Sequence, residues 1–119
     1  MTEPARMSRR RPVDVKRAAF ITVVTDTTSG LPIGHLGNLS NNGILLICPH
    51  APHRGALYQL SLTLPGAERR LMRVKPIELG VREQWQRRVA STNQVWARYQ
   101  IIAISDADAA RIESWLAQD

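Results

Sequence analysis

The chain has 119 residues, 44% of them hydrophobic, which supplies one core and is too little for a second. A formal charge of +6, from 16 basic against 10 acidic residues, favours an anionic partner: nucleotide, nucleic acid, acidic protein or membrane surface. The longest apolar run, Ile44-Leu45-Leu46-Ile47-Cys48, is too short to cross a bilayer, and Cys48 as the single cysteine excludes an internal disulfide and fits a reducing cytoplasm.

Residues 1–11 are polar, carry Arg6, Arg9, Arg10 and Arg11, and lack apolar periodicity, so they are expected to form a flexible arm ahead of a domain spanning 12–119. No apolar stretch follows these arginines as a secretory signal would need, so the protein is expected to stay in the cell. β-Branched Ile21, Thr22, Val23, Val24, Thr25 and Thr27 predict a strand within 18–28, closed by Ser29-Gly30. Strands over 33–39 and 43–48 follow, and Pro49 and Pro52 interrupt the pattern.

Tyr58, Leu60, Leu62 and Leu64 alternate with Gln59, Ser61 and Thr63, the period of a half-buried strand that turns at Pro65-Gly66. Residues 69–75 and 77–86 predict two strands, or one bent at Pro76, with Ile77, Leu79, Val81 and Trp85 on one face and a bulge at Gly80. Residues 87–94 are polar and predict an exposed hairpin loop before a last strand over 95–104. Ser105 as cap, Asp108 three residues on, and Ala109, Ile112 and Trp115-Leu116 at helical spacing predict a helix over about 106–117, with Trp115 in the core. The architecture is mainly β: short antiparallel strands closed by one helix, most simply a small barrel.

Two segments carry recognition chemistry. Arg6 and Arg10 form an R-x-x-x-R pair, and Asn38, Ser40 and Gly43 form N-x-S-x-x-G. A guanidinium is planar, permanently charged and forked, so it suits a phosphate or the O6 and N7 edge of guanine. Asn38 offers a donor and an acceptor together, Ser40 a hydroxyl, and Gly43 a place where ligand or backbone can come close. Asn41-Asn42-Gly43 is equally a hairpin signal, and both readings can hold together.

In that order, ahead of a small β-rich chain, these segments resemble the PilZ domain family, with Pro12-Val13-Asp14-Val15 placed as a P-V-D-hydrophobic stretch commonly is after the second arginine. The resemblance covers nearly the whole chain. It implies a six-stranded antiparallel β-barrel with a carboxy-terminal helix, in which Ile101 to Asp106 is the closing strand and its exit. It implies a receptor for cyclic di-GMP, a bacterial second messenger, bound through Arg6, Arg9, Arg10, Asn38, Ser40 and Gly43. Such a stand-alone adaptor would be cytoplasmic and would signal by docking on an effector protein. One departure is visible: family members usually carry glycine in the last strand, where this chain has Ala97-Arg98-Tyr99, a change expected to leave the ligand motifs untouched.

Trp85 has two readings, a stacking platform for guanine, as some PilZ proteins use, or ordinary core packing. Cys48, His50 and His53 could face a metal, but a structural zinc site takes four ligands, and a proline-stiffened loop accounts for them better. His35 either approaches the ligand rim or decorates a strand. Asp106 and Asp108 are explained by capping and the helix dipole, and the chain carries no nucleophile elbow, phosphate loop or His-Glu metal motif, so an enzyme and a cofactor are not expected. The competing functions are a basic barrel that binds nucleic acid, which lacks an RNA-type aromatic platform, and a PilZ-fold protein-interaction module without ligand.

Overall fold

A computed structural model describes residues 15–17 (backbone only), 22–64 and 75–118. Seven strand segments and one helix follow in order: β1 (Val15–Arg17), β2 (Val23–Asp26), β3 (Leu31–Ser40), β4 (Gly43–Cys48), β5 (Leu57–Leu62), β6 (Ile77–Val89), β7 (Gln94–Ala103) and α1 (Asp106–Leu116). The expected arm and the turn at Pro65-Gly66 lie outside the described residues, as does the expected strand over 69–75 except Lys75.

The sheet runs β1-β3-β2-β5-β6-β7-β4, and β4 pairs back onto β3, which closes it. Both β1 and β2 lie along the same edge of β3, opposite 38–40 and 31–35 respectively, so the closed ring has six staves, all antiparallel. Closure leaves no open edge to the ring and turns one face of every strand into the core. That core holds Val24, Leu36, Leu39, Ile44, Leu46, Leu60, Leu62, Ile77, Leu79, Val81, Val95, Ala97 and Tyr99, aliphatic almost throughout, as a composition poor in aromatics requires.

The helix is fixed at both levels. Ser105 Oγ accepts the Asp108 amide at 3.1 Å, and the Asp108 carboxylate accepts the Glu78 amide at 3.2 Å and pairs with Arg111 at 3.1 Å. Arg111 also donates to the Lys75 carbonyl, so the helix start is tied to the start of β6. Ile112 and Trp115, on one helical face, complete the core.

Two expectations are corrected by pairing. The polar stretch 87–94 is not a loop: β6 continues through Val89 because Arg87 and Arg88 pair with Trp96 and Val95, leaving 90–93 as the turn, with Asn93 at φ 56°. Ladder hydrogen bonds are indifferent to side-chain polarity, and on an outer face polar residues are what a strand should carry. Trp85 does not share a face with Ile77, Leu79 and Val81. The register slips by one residue between Glu83 and Trp85, so Gln84 is an extra residue and the alternation changes phase. Glu83 is buried and Trp85 is 45% exposed. A register shift does fall between Gly80 and Val81, but the extra residue there is Ile102 on β7, not Gly80.

Candidate functional site

The segment Asn38–Gly43 makes the hairpin between β3 and β4, with Asn41 and Asn42 at its tip. Ser40 organises it. Its side chain is 1% exposed, its Oγ accepts the Gly43 amide at 3.1 Å, and its hydroxyl lies 2.9 Å from Asn42 Oδ1 and 3.2 Å from the Gly43 carbonyl. The turn is therefore held by the serine of the motif, and that hydroxyl is engaged inside the protein rather than displayed.

Asn38 reaches the outer surface by the same device as Trp85. Between Leu36 and Asn38 the pairing with β4 slips by one residue, so Gly37 is the extra one. Without it Asn38 would fall in phase with Leu36, which is buried; with it Leu36 and Leu39 both face the core and Asn38 is half-buried on the outer face. Two bulges, at Gly37 and Gln84, thus bring an amide and an indole to the outside of the barrel.

Paired residues present their side chains on the same face of a sheet, so the register defines rows across the outer wall. One row reads Trp85, Arg98, Leu45, Asn38, from β6 through β7 and β4 to β3, and ends on the backbone of Arg17 in β1. The next reads Arg87, Trp96, Ile47, His35, Val23. On β6 and β7 the two rows set two tryptophans and two arginines on opposite diagonals: Trp85 beside Arg98, Arg87 beside Trp96. Trp96 is 40% exposed. Only Trp115 of the three tryptophans lies in the core, so the core-packing reading of Trp85 is set aside; the indoles at 85 and 96 face solvent among cations.

Arg98 links these rows to the turn. Its guanidinium donates to Asn42 Oδ1 at 3.4 Å and lies directly over Gly43: a Cβ placed on that glycine would fall 2.6 Å from Cζ and 2.7 Å from Nε. The Ala97-Arg98-Tyr99 stretch of the last strand therefore bears on the N-x-S-x-x-G segment, because Arg98 covers the glycine that closes it. Sequence spacing could not place residues 43 and 98 together, since only the β4–β7 pairing does so. Among the described residues the one ion pair is Arg111 with Asp108, so Arg98 has no carboxylate against it there. Arg6, Arg9 and Arg10 lie outside the described residues.

Of the remaining candidates, His35 belongs to the second of these rows. His35 decorates β3 between Val23 and Ile47. Cys48 is buried while His50 and His53 are exposed on the proline loop, and no trio of metal-ligating side chains converges among the described residues. That loop covers a cleft of about 270 Å³ lined by Ile33, Cys48, Pro52, Tyr58 and Tyr99. Burial pushes the Cys48 thiol up, partly offset by the neighbouring Tyr99 hydroxyl. Burial first, then the charges of Cys48 and Tyr58, push the Tyr99 phenol well above its ordinary value. The Tyr99 hydroxyl is close enough to Cys48 to affect its proton, yet meets hydrogen-bond geometry with no described atom.

No protein-family model matches the chain, and no curated protein matches it by sequence. Among solved structures it is similar to the Bacillus subtilis inhibitor of motility, MotI/DgrA, with a TM-score of 0.71 at 16% identity over 90% of this chain. The chain spans about half of that protein, 49% of its length, so the likeness is one of fold: this barrel and helix are shared with an inhibitor of motility.

Proposed function

We propose that this protein is a cyclic di-GMP receptor of the PilZ type, a cytoplasmic adaptor rather than an enzyme, that signals by docking on an effector protein. The observation that carries the reading is the outer wall around the β3–β4 turn. Asn38 is turned outward by a bulge, Gly43 lies bare of any side chain of its own beneath a guanidinium, and Trp85 stands beside that guanidinium in the same row. An amide, a forked cation and an aromatic face on one surface suit a guanine nucleotide: hydrogen bonds to the base edge, charge for phosphate, and a plane for stacking. On this reading Arg6, Arg9 and Arg10 are assigned to the ligand as well; they precede β1 in the sequence, and β1 runs beside Asn38–Ser40. The fold shared with an inhibitor of motility supports a regulatory role.

Titration calorimetry with cyclic di-GMP, cyclic di-AMP and a random oligonucleotide, each across a salt series, tests the reading. Cyclic di-GMP should bind far more tightly than cyclic di-AMP, because adenine presents an amino donor where guanine presents O6. The oligonucleotide should bind weakly and lose affinity steeply with salt, as counterion release dictates. Equal affinity for the two cyclic dinucleotides, or tighter and salt-resistant oligonucleotide binding, would transfer the proposal to a nucleic-acid-binding barrel.

A further inference from the structure

We infer that Arg98 is itself an anion-binding residue of this surface, the barrel's own phosphate contact; the inference rests on the receptor reading above. Its position is set by the fold. Arg98 sits mid-strand in β7, paired with Leu45 of β4 on one side and Trp85 of β6 on the other, so its Cα is held by the sheet. Its head is aimed by Asn42 and seated on Gly43, the one side-chain-free spot of the turn. The side chain is half-buried and, among the described residues, unneutralised.

A guanidinium withdrawn partly from water and left without a counter-ion gains more from an incoming phosphate than a fully solvated one. Asn42 occupies one N–H, which leaves the rest of the fork open. The flanking indoles of Trp85 and Trp96 and the second guanidinium of Arg87 give the same wall the alternation of charge and π face that a nucleotide needs.

The full-length protein, Arg98→Ala and Arg98→Lys, each checked for an unchanged melting temperature, should be titrated with cyclic di-GMP at several salt concentrations. Arg98→Ala should bind roughly ten-fold more weakly. Its slope of log affinity against log salt should be shallower by about one, since one phosphate contact is gone. Arg98→Lys should restore the slope while recovering only part of the affinity, because an ammonium keeps the charge without the fork. Affinity of Arg98→Ala equal to or above that of the parent would show a side chain that merely covers Gly43 and would overturn the inference, as would an unchanged slope. If the parent protein does not bind cyclic di-GMP at all, the receptor reading fails, and the inference is then decided by NMR of the Arg98 Nε–H signal against inorganic pyrophosphate. A saturable shift, absent for the Arg88 signal, supports an anion site; no shift sinks it.

Discussion

Ser40 engages both backbone polar groups of Gly43: the Ser40 Oγ accepts the Gly43 amide at 3.1 Å and its hydroxyl lies 3.2 Å from the Gly43 carbonyl. The N-x-S-x-x-G pattern is thus first a way of building a rigid turn, and the surface proposed to bind the nucleotide is built on that turn.

Ser40→Ala should therefore act on stability before affinity. It leaves the buried Gly43 amide without its acceptor, a loss of about 1–3 kcal/mol. Urea unfolding should show the lower midpoint, with cyclic di-GMP affinity reduced less than in the arginine variants.

Arg10→Ala should behave in the opposite sense. A bidentate charge-assisted contact contributes about 1–3 kcal/mol to binding. Calorimetry should register the weaker affinity at an unchanged unfolding midpoint, and full affinity in both Arg6→Ala and Arg10→Ala would remove these residues from the site.

Trp85→Ala tests the bulge at Gln84. Because the indole faces solvent, its removal should leave the melting temperature within a few degrees of the parent's. A stacked guanine should lose about 1–3 kcal/mol. A large drop in stability would instead return Trp85 to the core.

Tyr99 and Cys48 together predict an alkaline limit to stability. Both groups have folded-state values raised above the ordinary 10.0 and 9.0, so the unfolded chain releases their protons first. Their contribution is complete below pH 9 and falls as pH rises beyond it. Tyr99→Phe removes a buried hydroxyl with no described hydrogen-bond partner, so it should be neutral or stabilising at pH 7 and should flatten the decline above pH 10 in thermal melts.

Glu83 holds the proline loop. Its carboxylate accepts the Gly55 amide at 2.9 Å and Gln86 Nε2 at 3.1 Å, while Gln86 also donates to the Pro52 carbonyl at 2.9 Å. Glu83→Ala should cost about 1–3 kcal/mol and speed hydrogen exchange at Gly55, leaving exchange in β4 unaffected.

Local chemistry made much of this protein legible without coordinates. Alternation predicted β5, the Asn41-Asn42-Gly43 signal predicted the β3–β4 turn, and Ser105 with Asp108 predicted the start of α1, because each depends on residues within a few positions of one another. The tertiary structure alone decided what faces outward. Strand alternation assigns faces only while the register is unbroken, and the slips at Gly37 and Gln84 arise from pairing with β4 and β7, so the outward positions of Asn38 and Trp85 were not contained in their own segments. The same holds for Arg98. Its place over Gly43 follows from closing the barrel through β4 and β7, a contact between residues far apart in the chain whose energy is realised only when the whole ring is formed.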